Sequence, residues 1–299
     1  MGKLNRIYIG IPKRYHDGPL EPSAQKCLDG IQNYGIDKGL YESMEVQWGG
    51  MSISQNSYKM IQQFLFDEKG KKCSHFLYTG DDLTFAPDAL AMLLESDRPV
   101  IVGCATWKTP PFFVNCSVLD SEGKESKIYV TKDMLVRGLV SEVYAAGSGF
   151  MLIKREVLED VHAFWKEYHK NFVALMPKKF QGFQPVPYFP VTYDGEGFTS
   201  TDYAFCDSVR ACGHSIWLHC GVVVGHIWKK QYSVMDHVMW RDAYGMATQI
   251  PDFPTQQIES IRFKSSHADG KEYFFGTDKS GANGSDSIPE REPALESVS

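Results

Sequence analysis

The stretch that constrains this chain most is an abrupt change of character. The apolar run His75–Thr79 stops at Gly80, two carboxylates follow at Asp81 and Asp82, and Pro87-Asp88-Ala89-Leu90 then opens a helix. A short apolar run followed by a helix is the repeating unit of an α/β sheet, so the run reads as a buried strand. Adjacent Asp side chains at the carboxyl end of such a strand repel each other unless a cation or a ligand's donors compensate them. The pair predicts Mg²⁺ or Mn²⁺, and a phosphate is the usual reason for holding either.

The rest of the chain extends the α/β pattern. Arg6–Ile11 is an opening strand stopped by Pro12. Ser54–Phe66 carries apolar residues at 58, 61, 64 and 65, a helical stripe. Pro99–Ala105 is a further buried strand, and strand, helix and strand in that order predict a right-handed parallel crossover. Residues 108–140 read as a loop and hairpin excursion able to cover a site. Val143–Ile153 reads as one strand interrupted by Gly147 and Gly149, where a ligand or another backbone comes close, and the helix-like Arg155–His169 follows it. Met176–Gly197 is a long irregular loop of the kind that usually serves function. Thr199–Gly213 is the clearest helix, with Ser and Thr capping candidates and Gly213 as terminator. Its apolar face is Phe205, Val209 and Cys212, and three residues before Phe205 lies Asp202, aimed into the protein. Two strands follow, Ser215–Leu218 and Val222–Ile227. The expectation is one α/β domain over residues 1–262 and an extension over 263–299 that is disordered from about 276, where Ser, Gly, Glu and Pro replace large apolar residues.

Composition narrows the classes without excluding a nucleic-acid partner. An apolar fraction of 43% supports a sizeable core, while a net charge of −6 gives no basic excess to steer the chain toward nucleic acid or an anionic membrane. No apolar stretch reaches the roughly 20 residues a membrane-spanning helix needs, and the opening residues lack a signal-peptide core, so a soluble, cytoplasmic protein is expected. Arg6 stands where a myristoylation signal needs Ser or Thr. The seven cysteines (27, 73, 104, 116, 206, 212, 220) are odd in number and lack C-x-x-C spacing, which predicts reduced, mostly buried thiols.

Four motifs in order carry a resemblance. They are the strand with Asp81-Asp82 and the following Phe85-Ala-Pro-Asp-Ala-Leu90; Gly147-Ser-Gly-Phe-Met-Leu-Ile-Lys-Arg-Glu-Val157; Thr201-Asp202-Tyr-Ala-Phe-Cys-Asp-Ser-Val-Arg-Ala-Cys-Gly213; and Val224-Gly-His-Ile227. Together they resemble the GT-A nucleotide-sugar glycosyltransferases of the family-two type, in the compact form found in bacteria and phages. The resemblance spans roughly residues 6–235. It implies a Rossmann-like mixed sheet flanked by helices, a nucleotide diphosphate-sugar donor with UDP-sugar the first candidate, and a divalent metal bridging protein and diphosphate.

On the matching positions, the resemblance makes Asp82 a direct metal ligand, places Asp81 beside the ribose or the metal's water shell, and makes His226 the histidine that completes the metal site. Imidazole suits Mn²⁺ better than Mg²⁺, so that pair favours Mn²⁺. Asp202 matches the catalytic base of inverting members, which takes the proton of an acceptor hydroxyl as it attacks the anomeric carbon. Two positions depart from the family: Gly80 stands where its first motif Asp falls, and Thr201 where an acid precedes the base. Pro12 borders the nucleotide base, with Ser54 and Asn56 on its other side. Gly147 and Gly149 let a sugar approach the backbone, and Lys229, Lys230 and Tyr232 form a lid over the diphosphate. Trp107, Phe112, Phe113, Phe183, Tyr188 and Phe189 fall on the acceptor side or in the core.

Bland roles compete for the same residues. His226 is otherwise a core histidine, Asp202 a first-turn helix carboxylate, Gly147-Ser148-Gly149 a strand bulge, and the two lysines a solvated pair. Two other functions compete as well, a nucleotidyltransferase and a catalytically inactive nucleotide- or glycan-binding module. The acceptor is left open among a glycan, a protein side chain and a modified DNA base.

Overall fold

The computed structural model describes residues 4–13, 20–49, 52–107, 112–174, 188–190, 192–193, 198–227, 231–232, 234, 263–266 and 272–275. Strand β1 (Asn5–Pro12) is buried on both faces, Ile7, Ile9 and Ile11 entering one cluster and Tyr8 the other, as a strand covered by helices on both sides must be. Helix α1 (Pro22–Lys38) starts with Pro in its first turn behind a Glu21 cap and stops at Gly39, whose φ of 62° is the left-handed cap conformation. Strand β2 (Tyr41–Trp48) follows, and helix α2 (Ile53–Phe66) begins with a capping box between Ser52 and Gln55. After a short 3₁₀ turn come β3 (His75–Thr79), β4 (Leu83–Thr84), helix α3 (Ala89–Glu95) and β5 (Val100–Ala105).

The excursion contains a hairpin of β6 (Cys116–Leu119) and β7 (Glu125–Lys127), helix α4 (Lys132–Val136) and β8 (Val140–Val143). Then β9 (Ala145–Ala146), β10 (Phe150–Lys154) and helix α5 (Arg155–Ala174) lead through the short pair β11 (Thr192–Tyr193) and β12 (Phe198–Thr199) to helix α6 (Thr201–Ala211). Strand β13 (Ile216–Ile227) and β14 (Gln231–Tyr232) complete the main sheet, and β15 (Phe263–Ser266) with β16 (Glu272–Phe275) forms a separate hairpin.

The main sheet has the order β14-β13-β5-β10-β3-β1-β2, with β4 and β8 also paired to β13. Strands β1, β2, β3, β5 and β13 run parallel, and β10 lies antiparallel between β3 and β5. Helices α2, α5 and α6 bury their apolar residues on one face, α1 and α3 on the other. The fold is the Rossmann-like mixed α/β sheet flanked by helices that the GT-A resemblance implies. Among the described residues, no helix is long and apolar enough to cross a membrane.

β3 and β5 run parallel, as expected, with β10 inserted between them. Two expectations are corrected. Val143–Ile153 is not one strand: β8 ends at Val143 against β13 of the main sheet, β9 belongs to the small sheet with β6 and β7, and β10 returns to the main sheet, so the glycines mark a change of sheet. Conversely Ser215–Leu218 and Val222–Ile227 are one strand, β13, whose register against β5 shifts between His219 and Val223. That is a bulge, which the sequence around Cys220-Gly221 disguised as a break. Most of Met176–Gly197 lies outside the described residues, as do residues 276–299; Tyr188 and Phe189 are fully buried.

Arg155, at the start of α5, donates from Nε to the Cys73 carbonyl (2.8 Å) and from one terminal nitrogen to the carbonyls of Phe64 (3.0 Å) and Gly70, with its guanidinium 4.1 Å from the Phe64 ring centre. It ties the exposed end of α2 and the following turn to α5. Cysteines 73, 104, 116, 206 and 220 are buried thiols. Burial pushes those of Cys104 and Cys116 well up, and neighbouring thiols push the same way.

Candidate functional site at the carboxyl edge of the sheet

Because five strands run parallel, their carboxyl ends gather on one edge, the edge where open α/β sheets take ligands. Pro12 ends β1 opposite Trp48, and the next residue, Lys13, donates its N–H to the Trp48 carbonyl at 2.6 Å. Asn56, buried in the first turns of α2, donates from Nδ2 to the Lys13 carbonyl at 3.3 Å. The ends of β1 and α2 are thereby joined, and Ser54, partly buried, lies on the same first turn of α2. Pro12, Ser54 and Asn56, expected around a nucleotide base, are brought together.

The Asp pair sits one strand over. Gly80 donates its N–H to the Gly149 carbonyl at 3.0 Å, which fixes the turn after β3 to the start of β10. Asp81 and Asp82 are partly buried in that turn. β4 then pairs antiparallel with β13, placing His226 opposite Leu83, and the Ile227 N–H donates to the Asp82 carbonyl at 2.7 Å. Asp82 and His226 therefore stand on adjoining backbone segments. A Cβ at Gly80 would lie 3.2 Å from Asp82 Oδ1. An Asp there would crowd a second carboxylate against the first, so glycine at the family's first motif position is consistent with how Asp82 is held.

Asp202 lies in the first turn of α6, whose N-terminus is capped by the Ser200 side chain. Ser148 Oγ donates to Asp202 Oδ1 at 2.7 Å, and the Thr201 hydroxyl reaches Oδ1 at 3.5 Å. Burial raises the Asp202 carboxyl above its ordinary value, and these hydrogen bonds pull it partly back. Nearby stands Tyr78, the penultimate residue of β3, whose hydroxyl is 3.0 Å from Ser57 Oγ. Phe189 packs against the Tyr78 ring at 5.0 Å and stacks on Phe205 at 4.5 Å.

The glycines flanking Ser148 have different reasons. The space over Gly147 is filled by Asn115: a Cβ there would lie 1.9 Å from Nδ2 and 2.6 Å from Cγ, while the Gly147 N–H donates to the Asn115 carbonyl at 2.7 Å. Asn115 in turn accepts from the Trp107 indole N–H at 3.1 Å. Gly149 supplies the carbonyl that anchors Gly80. Lys229 and Lys230 lie outside the described residues; Tyr232 is described through its backbone, paired opposite His226.

Sequence reasoning missed Ser148 as the partner of Asp202, and missed Tyr78, Ser57 and Asn115 altogether. A serine between two glycines beside a strand end was the only signal for the first. For a metal, the described residues contain no cluster of three His, Cys, Asp or Glu. Asp82 and His226 nonetheless fit an ion that takes one or two protein ligands and completes its shell with phosphate oxygens and water.

No protein-family model and no curated protein matches the sequence. Solved structures resemble it at low identity. The protein A197 from STIV superposes with a TM-score of 0.41 at 10% identity, covering 94% of this chain and 98% of its own. GalNAc-T7, solved with UDP, GalNAc and Mn²⁺, gives 0.41 at 12% identity over 75% of this chain and 43% of its own. The inositol-1-phosphate CTP transferase from T. maritima gives 0.38 at 10% identity over 76% and 90%. Likenesses at this level carry nothing about activity.

Proposed function

We propose that the protein is a metal-dependent glycosyltransferase that moves a sugar from a nucleotide diphosphate donor, a UDP-sugar first, to an acceptor hydroxyl with inversion. The observation that carries the reading is the gathering, on one sheet edge, of Asp82 beside His226 and of Asp202 held by Ser148. In this reading Pro12, Ser54 and Asn56 receive the base, and Asp81 faces the ribose. Gly149 keeps the turn that carries both aspartates in place, and Lys229 and Lys230 clamp the diphosphate. Asp82 and His226 would hold Mn²⁺, which supplies charge compensation for the departing diphosphate when bound.

Asp202 does the proton work. The acceptor oxygen forms a bond to the anomeric carbon, the bond from that carbon to the diphosphate oxygen breaks, and the hydroxyl proton passes to Asp202. A buried carboxylate with raised proton affinity is better matched to this than an exposed one. The acceptor proposed is a carbohydrate, protein or modified-base hydroxyl.

The test is thermal stability against a panel of nucleoside diphosphates and nucleotide sugars, with Mn²⁺ and then with chelator. Binding at about 100 times Kd adds about 2.7 kcal/mol of stability. The expected result is a rise with one nucleotide only when Mn²⁺ is present, lost in Asp82→Ala and in His226→Ala. No response to any nucleotide from folded protein would reject the reading.

A further inference from the structure

Two consecutive buried aromatics, Tyr188 and Phe189, join four elements of the fold. The Tyr188 hydroxyl accepts from Gln62 Nε2 on α2 at 2.7 Å and lies 2.8 Å from His162 Nδ1 on α5. Its ring stacks on Tyr58 of α2 at 6.1 Å and on the His162 imidazole at 6.0 Å. Phe189 stacks on Phe205 of α6 at 4.5 Å and packs against Tyr78 of β3 at 5.0 Å. Tyr188 is wholly buried and Phe189 is 1% exposed, so both rings sit inside the junction. Phe205 lies three residues beyond Asp202 on α6, so the junction bears on the helix that carries the candidate base.

The protons at the Tyr188 oxygen can be counted from these bonds. Gln62 already donates to it, and burial pushes the phenol up, so Tyr188 keeps one proton to give. Among the described residues, the remaining partner of that oxygen is His162 Nδ1. A neutral imidazole with its proton on Nε2 accepts the phenol proton, and the hydroxyl is then satisfied on both sides. An imidazolium carries protons on both nitrogens and accepts nothing. The phenol proton is then left without an acceptor where solvent does not reach, which is the costly state for a buried donor.

No charge around His162 compensates a proton there. From α2, Phe66 meets the imidazole edge-to-face at 5.0 Å, and Gln62 and Tyr58 bring no charge. On α5, Lys166 one turn on repels a second positive charge, Glu159 is paired with Arg155 at 3.4 Å, and Asp160 with His214 at 2.8 Å. Burial first, and Lys166 after it, hold the imidazole below its ordinary value. The stability the neutral ring contributes is therefore full above the ordinary value of 6.5 and is lost as pH falls through the lowered one.

We infer that His162 and Tyr188 form a pH-operated clip: neutral His162 holds the Tyr188 and Phe189 rings in the junction of α2, α5 and α6, and protonated His162 releases them. The inference stands apart from the transferase reading, because it needs no ligand. His162 and Tyr188 are positioning residues, acting on α6 through Phe189 and Phe205.

The test follows His162 by NMR in the full-length protein labelled with ¹³C at histidine Cε1, the His162 signal being the one absent in His162→Asn. Tyr188→Phe keeps the ring against Tyr58 and removes the hydroxyl. The neutral imidazole then loses the hydrogen bond it accepts while the imidazolium loses none, so the His162 midpoint rises by about 0.7 of a pH unit, the worth of one net hydrogen bond. A midpoint that stays or falls means that His162 donates to Tyr188 instead, and overturns the inference. The clip itself is read from the nuclear Overhauser contact between the rings of Phe189 and Phe205. In the parent protein this contact weakens as pH falls through the His162 midpoint. His162→Asn offers Tyr188 an acceptor that does not titrate, so there the contact persists over the same range. A contact that survives in the parent below the midpoint, or that is lost at the same pH in both proteins, also overturns the inference.

Discussion

Gly147→Ala separates two reasons for a glycine at that position. If the glycine admits a sugar, an added methyl weakens donor or acceptor binding and leaves the fold alone. The structure argues otherwise, because the methyl would stand 1.9 Å from Asn115 Nδ2 and 2.6 Å from Cγ, so the amide group as a whole must move. Overpacking of this kind costs about 1–3 kcal/mol, and losing the Trp107 to Asn115 hydrogen bond adds about 1 kcal/mol. The gain from a stiffer unfolded chain offsets about 0.4–1 kcal/mol. The net loss is about 2 kcal/mol, or a fall in Tm of roughly 4–8 °C for a domain of this size. Turnover falls too, since Ser148 follows directly and a misplacement near 1 Å costs on the order of 100-fold. The assay is urea unfolding and Tm of Gly147→Ala, Asn115→Ala and the double variant. Asn115→Ala removes the obstacle, so Gly147→Ala made in that background should cost less than 0.5 kcal/mol, roughly the additivity error of independent sites. An unchanged Tm in Gly147→Ala together with weaker nucleotide or acceptor binding would refute the packing argument and restore the ligand one.

Two further predictions concern stability and pH. Asp202→Asn keeps an oxygen to accept from Ser148 but removes a buried charge, so turnover drops at least 100-fold while Tm at neutral pH rises. Asp202 has a raised proton affinity in the folded state, so its ionisation works against folding as pH rises through that raised value. The stability gap between variant and parent should therefore be full at neutral pH and close on acidification, which Tm measured across pH checks. Arg155→Ala strips donors from the carbonyls of Cys73, Phe64 and Gly70 and should cost about 3–4 kcal/mol, with Arg155→Lys recovering less than half because an ammonium lacks the fork that serves separate carbonyls. Urea midpoints at constant m decide it, and a loss under 1 kcal/mol in Arg155→Ala would contradict the bonding described.

Much of the sheet was legible because buried strands and amphipathic helices leave simple periods. The run at 75–79, the stripe of α2 and the face of α6 correspond to elements the structure contains. What failed was information that periods do not hold. An apolar run says nothing about which sheet it joins, so Val143–Ile153 concealed a departure from the main sheet into a small one and a return. A glycine near a strand's middle looks the same whether the strand ends or bulges, as at Gly221 in β13. Parallel order also cannot reveal an antiparallel strand from far along the chain, and β10 between β3 and β5 is one. At the site, the charged residues stood out because carboxylates at strand ends are expensive. The hydroxyls of Ser57, Tyr78 and Ser148 were invisible because each is ordinary in its own segment and finds its partner only through the fold.

The buried thiols set the terms on which this chain can be unfolded and recovered. In the folded state Cys104, Cys116, Cys206 and Cys220 are kept as thiols by burial. Disulfide exchange needs a thiolate and an access route, so oxidants pass these sulfurs by. Unfolding releases seven cysteines at once, without a native pairing to return to. Each cross-link formed in that state is therefore a wrong one. Reversible unfolding thus requires a reductant throughout, and in its absence a brief excursion to the unfolded state is recorded permanently in the covalent structure.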